Sequence, residues 1–209
     1  LSIMVKTQDL YVNRILTTTS FFMTRFLVRS LPLLDLQLVE RTRLGDSRGF
    51  LSRLFCAEEL ALSGWHEPIA QINHTYTKKR GTVRGLHYQL EPHAEMKLVS
   101  CVRGEVCDVV IDLRSNSPTY LHSHVQLLSD VNCFSLLIPK GFAHGFQSLT
   151  DDCELIYLHS APYSREHEAG LRFDDPLFSI DWPLCISEIS LRDQSHALVT
   201  SDFKGLQIS

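Results

Sequence analysis

Three short segments place ionisable side chains inside otherwise apolar, strand-like stretches. In RGLHYQ (84–89), strand alternation turns His87 and Gln89 to one side and Leu86 and Tyr88 to the other. In KLVSCV (97–102), Lys97 leads a run of buried character, and in ELIYLH (154–159) Leu155, Tyr157 and His159 share a face. An interior that collects a histidine, a lysine, an arginine and a tyrosine is costly unless those groups pair with one another or meet a polar ligand. Taken singly, each is as well explained as a satisfied core or rim residue, and spacing alone does not choose. Metal binding is the competing chemistry. His122 and His124 form an H-x-H pair, but no suitably spaced glutamate follows, and His93 near His87 lies in a proline-containing loop. No serine or cysteine sits in a recognisable nucleophile elbow.

The elements that must position these groups are mostly strands. LVERTRL (38–44) and LSRLF (51–55) flank a turn at Asp46–Gly49, and AEELALSG (57–64) is the best helical stretch, closed by a glycine. IAQINHTYT (69–77), TVRGLHYQL (82–90), KLVSCV and EVCDVVIDL (105–113) follow, the last two joined through Arg103-Gly104 as a hairpin. Within the last of these, Val106, Asp108, Val110 and Asp112 share one face, and Cys107, Val109, Ile111 and Leu113 the other. HSHVQLLS (122–129), CFSLLIP (133–139) and ELIYLHSAPY (154–163) continue the pattern. Many short strands with one good helix predict an all-β antiparallel sandwich or barrel.

At 209 residues the chain suits one domain with a sizeable core. A net charge of −4 without a dense Lys/Arg run gives no reason to expect nucleic acid, and no apolar stretch approaches membrane-spanning length. The six cysteines (Cys56, Cys101, Cys107, Cys133, Cys153, Cys185) lack any C-x-x-C pair and read as small core residues in a reducing compartment. The expected location is cytoplasmic. Residues 1–22 read as an unassigned N-terminal extension ahead of a single domain over 23–209, with Met23 a plausible alternative start.

The series DSRGF (46–50), QINHTYTKKRGTVRGLHYQ (71–89), KLVSCVRGEVCDVVIDLRSNSPT (97–119), IPKGFAHGF (138–146), ELIY (154–157) and IDWP (180–183) resembles the dTDP-4-dehydrorhamnose 3,5-epimerase family. The resemblance implies a cupin-like jelly-roll with a few short helices, a homodimer, and neither metal nor organic cofactor. It implies inversion at carbons 3 and 5 of dTDP-4-dehydro-6-deoxy-glucose, the partner being a dTDP-linked, or other pyrimidine-nucleotide-linked, keto-deoxysugar.

By the same resemblance His87 is the base, Asp193 orients it, Lys97 stabilises the enolate and Tyr157 is the acid. Arg84 and His144 match substrate contacts, Arg48, Gln71 and Asn73 match nucleotide contacts, Tyr163 a residue stacked on the thymine, and Glu168 a further binding position. Arg114 is expected to be structural, and Asp108 to pair with Lys97 or an arginine or to bond within the site. The family usually reads R-G-F-F-x-E after the arginine, whereas RGFLSR places Arg53 at the glutamate position. A guanidinium donates where a carboxylate accepts, which leaves the nucleotide preference open. A single-carbon epimerase on a related sugar, or a non-catalytic sugar-nucleotide-binding relative, shares these residues.

Overall fold

Alternating apolar side chains along short segments build thirteen strands and two one-turn helices among residues 24–208, which the computed structural model describes. In chain order these are β1 (Phe26–Ser30), β2 (Gln37–Arg41), β3 (Arg43–Asp46), β4 (Gly49–Ser52), α1 (Ala57–Ala61), β5 (Gln71–Thr77), β6 (Val83–Gln89), β7 (Lys97–Arg103), β8 (Glu105–Asp112), β9 (Ser123–Ser129), β10 (Phe134–Ile138), β11 (Phe142–Ser148), β12 (Cys153–His159), β13 (Glu168–Gly170) and α2 (Leu191–Ser195). The expected extension over 1–22 and the start at Met23 lie outside the described residues.

Two antiparallel sheets face each other. One has the order β1-β2-β10-β7-β12-β5 and the other β13-β6-β11-β8-β9, so this is the all-β jelly-roll sandwich that the strand pattern and the resemblance imply. Between the sheets, Leu38, Val99, Leu136 and Leu155 from the first meet Val106, Val110, Phe142 and Phe146 from the second. Both outer faces are covered as well. Val39, Leu98, Leu137 and Leu158 pack under Leu60 and Trp65, while Leu86, Val109, Ile111 and Ala143 pack under Leu171, Phe178 and partly buried residues of the C-terminal segment. Each fully buried Leu or Ile of these layers contributes about 1.5–3 kcal/mol relative to exposure. The predicted division of 105–113 is therefore correct: its two faces enter two different core clusters.

Three local expectations differ from the structure. The run 38–44 divides at Thr42 into β2 and β3, and the strand expected over 51–55 starts earlier, as β4. The latter pair forms a separate hairpin, β3–β4, joined to neither large sheet. The cysteines also divide: Cys101, Cys107, Cys133 and Cys153 are buried, but Cys56 is half-buried and Cys185 exposed. Burial pushes the thiol of Cys101 up to about 12 and that of Cys107 to about 11, which leaves both unreactive.

Candidate active site

A cavity of about 840 Å³ opens at one end of the sandwich, lined from both sheets. From the five-stranded sheet β6 brings Arg84 and His87, and β11 brings His144. From the six-stranded sheet β5 brings Gln71 and Asn73, β7 brings Lys97, and β12 brings Tyr157 and His159. Tyr163, Glu168 and, from α2, Asp193 complete the predicted set. Every predicted site residue except Arg48 lines this one space.

His87 is placed by strand pairing. It lies opposite His144 of β11 on one side and Gly170 of β13 on the other. The register between β6 and β11 shifts after His144, where Gly85 and Gly145 cross. A Cβ on Gly85 would stand 2.7 Å from the Gly145 Cα, and Gly85 has φ +114°, so only glycine fits this crossing.

Asp193 comes from α2, whose N-cap Ser190 accepts the Asp193 N–H at 3.0 Å. The Asp193 side chain is 4% exposed and meets the imidazole: His87 Nε2 lies 2.8 Å from Oδ1, while the Gly85 N–H donates to Oδ2 at 3.2 Å. Burial alone would raise this carboxyl, but the hydrogen bond and charge of His87 and the Gly85 N–H hold it at about 2. Arg192 Nη2 also lies 3.0 Å from His87 Nε2. A guanidinium only donates, so Nε2 cannot give its proton to Asp193 and accept one from Arg192 at once. In the neutral ring the shorter contact, to an ionised carboxylate, assigns the proton to Nε2 and leaves Nδ1 to accept. No described residue bonds Nδ1.

Across the cavity, Tyr157 is 8% exposed and its ring stands edge-on to His144 at 5.9 Å. Burial first, then the charge of Asp108, pushes its phenol well above the usual tyrosine range, so it keeps its proton. His144 in turn lies 2.9 Å from the fully buried Asp108 carboxylate, which answers the open question about Asp108: its partner is a histidine. Lys97 pairs with Glu95 at 3.0 Å and donates to the His87 carbonyl at 3.4 Å. At the mouth, Tyr163 Oη donates to Glu168 at 2.9 Å, its N–H donates to Gln71 at 2.9 Å, and Arg192 pairs with Glu168 at 2.8 Å.

Two lining residues were not singled out by sequence, Glu95 and Arg192, while His159 was placed on the face of Tyr157 but given no role. Arg192 had a readable signal, because Ser190-Leu191-Arg192-Asp193 has the S-x-x-D form of a helix start. His87, Asp193 and His196 bring ligand atoms within 4.8 Å of one another. The Arg192 guanidinium occupies the same corner, so a cation there would sit against a fixed positive charge. The H-x-H pair at His122 and His124 forms no metal-ligand group among the described residues. Arg114 is structural as expected, held by Asp112 and Asp35 at 2.9 Å each. Arg48, at the tip of the β3–β4 hairpin, is exposed and bonds to Asp46. Arg53 pairs with Glu59 and does not line the cavity.

A sandwich whose end cavity sets a carboxylate-held imidazole against a buried phenol and a lysine has the groups of a proton-transfer isomerase. The family model for dTDP-4-dehydrorhamnose 3,5-epimerase matches residues 30–201, and the chain belongs to that family. It is 42% identical over 155 residues to the dTDP-4-dehydrorhamnose 3,5-epimerase of Sinorhizobium fredii, covering 74% of this chain and 80% of that protein. The structure is similar to that of the Legionella pneumophila dTDP-6-deoxy-D-glucose-3,5-epimerase in complex with dTDP-4-keto-L-rhamnose: TM-score 0.82, 32% identity, 88% of this chain and 99% of that one. It is also similar to a 3'-monoepimerase from Streptomyces bikiniensis in complex with dTDP-quinovose, with TM-score 0.76, 31% identity and coverage of 81% and 86%. No described helix is long and apolar enough to cross a membrane.

Proposed function

We propose that this chain inverts carbons 3 and 5 of dTDP-4-dehydro-6-deoxy-glucose, giving dTDP-4-dehydro-rhamnose. The observation that carries this reading is the placement of His87 and Tyr157 on opposite sheets across one cavity. The ketone at carbon 4 acidifies the C–H bonds on both sides of it. His87 Nδ1 takes the proton from one face, and the electron pair moves to the carbonyl oxygen as an enolate. The Lys97 ammonium meets that charge in a space shielded from water. Tyr157 then returns a proton to the other face of the same carbon, so the configuration inverts. His87 loses its proton to solvent and Tyr157 regains one before the next carbon. Proton transfer of this kind calls on no cofactor.

The mouth suits the nucleotide. Gln71, Asn73, Tyr163 and Glu168 offer an aromatic face and amide and carboxylate partners, and the guanidinium groups of Arg84 and Arg192 offer charge for the diphosphate. Arg48 enters this reading through a second copy of the chain. Its hairpin pairs with neither large sheet and exposes Leu44, Phe50 and Leu51, an apolar surface that a homodimer would cover while carrying Arg48 to the partner's cavity. The related monoepimerase shares the fold, so the number of carbons inverted is read from chemistry. In deuterium oxide the keto-sugar nucleotide is expected to gain deuterium at two carbons, from a protein with twice the mass of one chain. One labelled carbon would make it a single-carbon epimerase, and none a binding relative.

A further inference from the structure

Building on that proposed reaction, we infer that Glu95 is a positioning residue for the Lys97 ammonium, with His159 packed behind it. Glu95 lies in the loop before β7, yet its side chain is only 4% exposed and that of Lys97 only 10%. A buried carboxylate is retained at a cost, and here both of its oxygens are used. Oε1 is 3.0 Å from Lys97 Nζ, and Oε2 accepts from Gln89 Nε2 at 2.5 Å. Gln89 is itself fixed, since it donates to the His93 carbonyl at 2.9 Å and accepts the Ser164 N–H at 2.6 Å.

Behind Glu95 stands His159. Asn73 Nδ2 lies 3.4 Å from His159 Nε2, and an amide nitrogen only donates, so Nε2 accepts and the ring proton sits on Nδ1. That nitrogen is 4.0 Å from Glu95 Oε1. Burial first, then the neighbouring Lys97, holds His159 down to about 4, so at neutral pH the cluster contains one cation and one anion.

The consequence for Lys97 follows from counting protons. An ammonium has three: one reaches Glu95, one reaches the His87 carbonyl at 3.4 Å, and the third has no partner among the described residues. A lysine stem is flexible, and two fixed acceptors convert it into a donor with a single remaining direction. Because Lys97 lines the cavity beside Tyr157 and His159, that direction serves the enolate oxygen.

The test uses the full-length protein with the dTDP-linked keto-sugar, reading deuterium wash-in, and measures dTDP binding separately. Glu95→Ala is expected to lower kcat by about 30- to 100-fold with KM within about twofold, the size of loss that follows when one preorganised donor is misplaced by about an ångström. Glu95→Gln keeps an amide oxygen that accepts from Lys97, and is expected to recover kcat to within about fivefold of the wild type. An alanine variant within about threefold of wild-type kcat overturns the inference, as does a loss that glutamine does not recover or that follows lost dTDP binding. A wild-type chain that exchanges no deuterium overturns the proposed reaction first, and the role of Glu95 falls with it.

Discussion

Replacing His87 by alanine is expected to abolish deuterium wash-in at both carbons while the protein stays folded and still binds dTDP. Loss of a positioned general base costs on the order of 10²–10⁴ in rate. The ring is 27% exposed in its side chain and contributes to no core cluster, so the sandwich does not depend on it. What depends on it is Asp193, which is buried and in the variant keeps the Gly85 N–H and Arg192 but loses the imidazole. The helix that carries Asp193 is one turn long and still capped by Ser190, so the loss stays local. Proton NMR of the substrate in deuterium oxide gives the rate, and circular dichroism checks the fold. Exchange at the wild-type rate in a folded variant would assign the base to another residue.

Tyr157→Phe is expected to separate exchange from inversion. Phenylalanine keeps the ring packed against His144 and inside the inter-sheet core, so the fold is preserved. Only the hydroxyl goes, and with it the proton held on that side. His87 can still remove a proton and return a deuteron to the face it came from. Label therefore accumulates in the unchanged sugar while formation of the inverted product falls by about 10²- to 10³-fold, as for loss of a catalytic acid. Undiminished inversion would make Tyr157 a packing residue and place the acid elsewhere.

Much of the site was legible because strand alternation is a local signal. His87 with Gln89, and Tyr157 with His159, face the cavity as the period of two requires. The pairing of those strands was not legible. β12 lies between β5 and β7, and β6 lies between β11 and β13, partners separated by dozens of residues that no periodicity encodes. Glu95 lies in a loop with no pattern and is recognisable only once β7 and β12 bring Lys97 and His159 beside it. β13 is three residues long, too short to show alternation, yet it seats Glu168 and lies opposite His87. Asp193 and Lys97 took their roles from the family resemblance; the geometry places both at hydrogen-bond distance from His87.

The half-buried, uncharged His159 ties the shape of the cavity to the stability of the whole chain in acid. Its ring titrates at about 4 in the folded protein against an ordinary 6.5, so between those values the unfolded chain binds a proton that the folded one refuses. Unfolding then takes up protons, and acid drives it: stability declines as pH falls from 6.5 towards 4, by up to about 3 kcal/mol from this one group. Asp193 continues the decline lower down. Its carboxylate, held at about 2 against 3.8, favours the fold above 3.8 and loses that contribution as pH falls towards 2. The two groups act in succession. A melting temperature followed from pH 7 to pH 4 should fall for the wild type and fall less for His159→Gln, whose amide does not titrate in this range.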